Sequence, residues 1–194
     1  MRLVSDLRVS PRRRRKTPPA TSAVRGFVAL RDNQDPVPYQ SNLERQFLVV
    51  CGCLPWVNRV TWEPMTLHFT ENSTQLRRSY TPDFLVEYQD GSGSLMQLLV
   101  ETKRQRDWLR SAGYMKACYA AAELWAEQQP VTSFFHASDE WLTAIHFQTY
   151  EFIFASRKGA VSAPERRELV KLLLNQSRLT MSSATELLKA QGLS

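Results

Sequence analysis

Three charged residues in the middle of the chain have types and spacing suited to hydrolytic chemistry on a phosphate: Asp83, Glu101 and Lys103. The segment Asp90-Gly91-Ser92-Gly93 is turn chemistry between two β-rich runs. An antiparallel hairpin closed near residue 92 sets residue 83 opposite residue 101, so two carboxylates meet at its open end. Lys103 follows Glu101 by two, and successive odd positions of a strand share a face. Leu98-Leu99-Val100 precedes this pair as a continuous apolar run, which indicates burial on both faces. Charges emerging from a buried strand must be paired, hydrated or bound to metal. The plain alternatives are a turn aspartate after Pro82 and an exposed Glu101/Lys103 ion pair on a strand.

A third carboxylate, Glu44, borders an apolar helix face formed with Phe47, Leu48 and Cys51. It has two readings. It can point towards the sheet edge, or it can close a capping box in which Ser41-Asn42-Leu43-Glu44 reaches back to the Ser41 amide.

The elements that must carry these residues follow from periodicity. Helical spacing begins at Ser41 and stops at Pro55. Strands are predicted over residues 59–62, 65–70, 83–88 and 95–102, with Glu71-Asn72-Ser73-Thr74 as a further turn. A long helix is predicted over 105–128, ended by Pro130, and a strand over 131–136. Residues 139–144 and 147–155 read as two short helices or a helix–strand pair. Residues 164–191 read as two amphipathic helices, with Gly192 as a helix stop. The result is an α/β domain, a small sheet flanked by helices, with a short C-terminal helical appendage. The expected division is an arm over 1–25, a folded domain over 26–160 and a helical segment over 161–194.

With 43% hydrophobic and 23% charged residues, the composition is that of a globular protein rather than a disordered or fibrous one. No apolar run approaches the ~18 residues a membrane helix needs, and the charged start is unlike a secretory signal, so the expectation is a cytoplasmic protein without membrane contact. Cys51, Cys53 and Cys118 are an odd set with no metal spacing, read as free buried thiols. His68, His136 and His146 are scattered and read as structural or surface residues. The five tryptophans read as core and interface groups, with Trp108 and Trp125 on the packed side of the long helix.

The net charge of +6 is uneven. Residues 1–16 hold Arg2, Arg8, Arg12, Arg13, Arg14, Arg15 and Lys16 against Asp6, which accounts for the whole excess. Adjacent cations repel, and Pro11, Pro18 and Pro19 flank the run, so this stretch is expected to be a flexible arm. Such an arm binds phosphates by counterion release, or else serves as a solubilising tail. Arg104, Arg106 and Arg110 extend beyond Lys103 as a second basic ridge, read either as a phosphate track or as a solvated helix face.

Taken together, Pro82-Asp83, then Glu101-Thr102-Lys103, with Glu44 upstream, resemble the PD-(D/E)xK nuclease signature. The wider set, Ser41-x-x-Glu44-x-x-Phe47, Tyr80-Thr-Pro-Asp-Phe84 and Val100-Glu-Thr-Lys103, is similar to TnsA, the endonuclease subunit of heteromeric cut-and-paste transposases, over roughly residues 40–155. The resemblance implies a restriction-endonuclease-like core with a mixed sheet, and a catalytic set of Glu44, Asp83, Glu101 and Lys103. It also implies a Mg²⁺ ion, replaceable by Mn²⁺, on Asp83 and Glu101 with the Thr102 carbonyl and Glu44. The substrate would be double-stranded DNA at transposon ends, with 5′-phosphate and 3′-hydroxyl products. The implied partners are an integrase-type transposase subunit and an ATPase regulator. Glu101 stands where some members carry Gln, and residues 164–194 match the family's usual C-terminal domain poorly. Two other readings remain open: a stand-alone restriction, repair or junction-resolving nuclease of the same fold, and a non-catalytic DNA-binding assembly protein.

Overall fold

The computed structural model describes residues 3–11, 24–30, 33, 35–111 and 113–156. Among them, strands β1 (Val4–Pro11), β2 (Gly26–Val28) and β3 (Val37–Tyr39) precede helix α1 (Asn42–Cys53). Five strands follow: β4 (Val57–Trp62), β5 (Met65–Glu71), β6 (Leu76–Tyr80), β7 (Phe84–Gln89) and β8 (Leu95–Thr102). Helices α2 (Gln105–Leu109) and α3 (Gly113–Glu127) lead to β9 (Thr132–Ala137), then α4 (Asp139–Ala144) and α5 (Phe147–Ser156).

The central sheet has the order β4-β7-β8-β9. Its first two pairings are antiparallel and the last, β8 with β9, is parallel, so the sheet is mixed. A parallel neighbour requires a crossover, and α2 and α3 supply it. The β7–β8 hairpin pairs Phe84 with Val100 and Leu85 with Leu99, the register expected from its turn. Asp90 sets that turn: its Oδ1 accepts the Ser92 and Ser94 amides, and Gly93 takes the positive φ of 85° that suits a residue without Cβ.

Both faces of this sheet are covered, which explains the unbroken apolar run on β8. Leu99 packs with Ala117, Cys118, Ala121 and Ala122 of α3, whose small side chains let the helix lie close. Val100, Phe84 and Val86 pack on the opposite face with Phe47 and Leu48 of α1. The far side of α1 meets α4 and α5 through Val49, Val50, Leu142 and Tyr150. A second sheet, β1-β5-β6, closes over α3 with Leu67 and Phe69. No helix among the described residues is long and apolar enough to cross a membrane.

The structure corrects the sequence reading in three places. Residues 4–11, expected within a flexible arm, form strand β1 on the edge of β5. The alternation was hidden because Val4 and Leu7 face inward across a bulge, where Asp6 has φ 52° and the register shifts between Ser5 and Arg8, while Val9 stays exposed. The single long helix is two, α2 and α3, with a break after Arg110. There the Ser111 hydroxyl donates to the Asp107 carbonyl, a local bond that competes with helix continuation. β2, β3 and β6 escaped the sequence reading: two are only three residues long, and β6 is an edge strand whose Leu-Arg-Arg-Ser is largely exposed. Residues 139–144 and 147–156 are a pair of helices, the first of the two alternatives the sequence left open. Residues 12–16 and the C-terminal segment 161–194 lie outside the described residues.

Candidate active site

The β7–β8 hairpin ends where the second sheet and α1 meet it, and four acids converge there. Leu85 and Leu99 are paired on the α3 face, and Asp83 and Glu101 continue that row two residues farther along each strand. Glu101 is 8% exposed. Its Oε2 accepts the Tyr80 hydroxyl at 2.5 Å. Asp83 Oδ2 accepts both the Thr102 amide and the Thr102 hydroxyl at 2.7 Å. The Tyr80 bond spans the two sheets and the Thr102 bonds join the ends of the β7–β8 hairpin, so each carboxylate is fixed by a different element.

Glu44 answers to both of its readings. The Ser41 hydroxyl accepts the Glu44 amide at 3.1 Å, the expected cap. The Glu44 carboxylate reaches back one residue beyond the expected partner, taking the Gln40 amide at 2.8 Å. It is also buried, and near enough to Asp83 for the two charges to repel.

The electrostatics record that crowding. Burial, then the Asp83 charge, pushes the Glu101 carboxyl up to about 8, against the pull of Tyr80 and Lys103. Burial and Asp83 push Glu44 up to about 7. Burial also raises Asp83, opposed by the two Thr102 bonds. Tyr80 is held well above its usual range by burial and by the Glu101 charge, so its hydroxyl remains the donor. Packing several acids where none ionises comfortably costs stability, and such arrangements cluster at functional sites.

Two residues of the site were missed in the sequence. Glu63 lies in the β4–β5 connection with φ 41°, its amide donating to the Asp83 carbonyl at 2.7 Å. Its charge raises both Asp83 and Glu44. Only the pairing of β4 with β7 brings it there, and no spacing rule links residues 63 and 83. His136, read as a structural or surface residue, is the ladder partner of Glu101 across β8 and β9. Its Nε2 donates to the Lys103 carbonyl at 2.7 Å, and burial holds the imidazole below its usual range.

Lys103 leaves the central sheet half-buried, its amide donating to the Ala137 carbonyl. Arg104, Arg106 and Arg110 are exposed around the short α2, with the Arg106 guanidinium 3.6 Å from Asp107. Arg12, Arg13, Arg14, Arg15 and Lys16 fall outside the described residues. Cys51, Cys53 and Cys118 are buried thiols outside any disulfide.

Hard carboxylate oxygens on Asp83, Glu101 and Glu44 suit a divalent cation such as Mg²⁺. One oxygen of each is spent on Thr102, Tyr80 or Gln40. The donor set fits the ion chemically, and a cation would offset the burial and the mutual repulsion that together raise all three. No group of three His, Cys, Asp or Glu among the described residues is drawn tightly enough to grip an ion as it stands.

Comparison with known proteins converges on the same region. Residues 55–135 match the family model described as TnsA-like endonuclease N terminal. The matched span contains Asp83, Glu101 and Lys103, and it begins after Glu44. No curated protein matches the chain.

Proposed function

Proceeding from residues 55–135 as a TnsA-like endonuclease domain, we propose that this protein is a Mg²⁺-dependent DNA endonuclease that cuts the 5′ strands at transposon ends during cut-and-paste transposition. One observation supports the reading above others. Asp83 and Glu101 are adjacent on the β7–β8 hairpin, and Lys103 follows from the same strand. A scaffold or a plain binding module has no need of buried acids held so far from their ordinary ionisation.

In this reading Asp83, Glu101 and the Thr102 carbonyl hold the ion, with Glu44 completing the shell. When bound, Mg²⁺ supplies a Lewis acid that neutralises phosphate charge and acidifies a water. Thr102 and Tyr80 keep the two principal carboxylates in place while the substrate enters. The Lys103 ammonium orients the attacking water and offsets charge gathering on the phosphate. Arg104, Arg106 and Arg110 contact backbone phosphates beyond the scissile bond, and the Arg12–Lys16 run adds further phosphate contacts. Such contacts position duplex DNA without choosing its sequence. End selection then belongs to an integrase-type transposase partner, with an ATPase regulator controlling the assembly.

The test is cleavage of plasmid DNA carrying the transposon ends, in Mg²⁺, with and without that transposase. Cutting of the 5′ strand that depends on the transposase and vanishes in Asp83→Ala and Lys103→Ala is expected. Robust sequence-specific double-strand cleavage by this chain alone would replace the transposition role with that of a restriction-type nuclease. No cleavage under any of these conditions would remove the nuclease reading itself.

A further inference from the structure

Past Thr102 the chain quits the central sheet, and something must hold the residues that follow. Three hydrogen bonds do so, all to the corner between β9 and α4. The Lys103 amide donates to the Ala137 carbonyl at 3.2 Å. The Lys103 carbonyl accepts His136 Nε2 at 2.7 Å. The Gln105 amide donates to Asp139 Oδ1 at 2.8 Å. Of these, only the His136 bond engages the peptide that follows Lys103, and its donor is a side chain that must itself be aimed.

The aim comes from stacking. Trp108 of α2 lies flat on the His136 ring, centroids 3.8 Å apart and planes 12° from parallel. The indole's neighbour Tyr119 of α3 stacks on it at 3.9 Å and 17°. A carbonyl can only accept, so His136 Nε2 carries the proton that makes the bond. The clamp also explains the break between α2 and α3, since Trp108 must lie between a strand residue and a residue of the next helix.

We infer that His136, clamped by Trp108, is a positioning residue that fixes the Lys103 backbone and thereby aims its ammonium at the carboxylates. Its consequence for catalysis rests on the nuclease reading; its structural content does not. The same wedge ties α2, which bears the exposed Arg106, to the placement of Lys103. A phosphate gripped on α2 therefore bears on the aim of the catalytic lysine.

His136→Phe keeps an aromatic ring against Trp108 and removes the donor. His136→Gln loses the ring and returns a donor at similar reach. Both are compared with wild type for the acetylation rate of Lys103 relative to the exposed Lys116, read by mass spectrometry after confirming a cooperative melt. The Lys103 ratio should move about two- to tenfold in His136→Phe, the range over which one ordinary hydrogen bond shifts an equilibrium. It should return towards wild type in His136→Gln. Trp108→Leu, which frees the ring and leaves the donor, should move the ratio too, and stands in if His136→Phe does not fold. An unchanged ratio, or no recovery in His136→Gln, overturns the inference. Cleavage is read in parallel: His136→Phe should lose about ten- to a hundredfold in kcat with little change in KM for DNA. If wild type does not cut, the nuclease reading fails while the labelling still decides the positioning role.

Discussion

Replacing Glu101 by Gln should make the metal-free protein more stable at alkaline pH, although the side chain is buried and hydrogen-bonded. The Glu101 carboxyl is pushed from 4.5 to about 8 by burial and by Asp83. A native state that holds a proton more tightly than the unfolded chain gains stability from it. That gain is fully present below 4.5 and is lost as pH rises through about 8. At 1.36 kcal/mol per tenfold, the whole interval amounts to roughly 5 kcal/mol. The penalty is shared with Asp83 and Glu44, whose charges contribute to it, so ~2 kcal/mol is the part that one substitution should recover. Glutamine keeps an oxygen for the Tyr80 hydroxyl, so no buried donor is stranded. Thermal melts in chelator at pH 5 and pH 8.5 read the effect directly. For a domain of this size ~2 kcal/mol is about 4–8 °C, appearing at pH 8.5 and vanishing at pH 5. If Glu101→Gln melts lower than wild type at pH 8.5, the carboxylate is stabilising as placed and the electrostatic reasoning fails.

Divalent cation should relieve the same strain: Mn²⁺ or Mg²⁺ should raise the melting temperature more at pH 8.5 than at pH 5, where protons compete for the carboxylates. Equal or absent shifts in calorimetry at both pH values would count against the metal site. Glu44→Gln can still accept the Gln40 amide, so it should fold normally and cut poorly; wild-type cleavage would leave Glu44 as a helix cap alone. Removing residues 12–16 should weaken DNA binding and flatten its salt dependence in titrations at several ionic strengths, and an unchanged slope would make the run a solubilising tail. The deletion must spare β1, because losing residues 4–11 would uncover Leu67 of the core.

How much of this was readable in the sequence differs from element to element. The hairpin register was legible because Asp90 and Gly93 are turn residues with one mechanical solution, and both flanking strands bury a face. Asp83 opposite Glu101 followed from that register. α1 and its Ser41 cap were legible for a similar reason: capping is local. What stayed hidden depends on distant pairing. β1 is a strand only because β5 offers an edge, and its bulge scrambles the alternation that would reveal it. Trp108 was expected in the core, but nothing local says that it lies against His136 rather than continuing a long helix. Glu63 and His136 reach the site through strand order, which a single sequence does not display.

The attachment of β1 has a consequence for how the chain is made. Ser5 and Asn72, joined through their side chains, are separated by 67 residues. Closing so wide a loop is slow compared with forming α1 or the β7–β8 hairpin. During synthesis β1 leaves the ribosome well before β5 exists, and α1 and β4 must emerge before the partner edge is complete. In the interval a short strand with Val4 and Leu7 uncovered, followed directly by the Arg12–Lys16 run, waits for the edge it will join. The seating of β1 on β5 is thus a late event, and it joins the basic run to a folded core only once that core has an edge to offer.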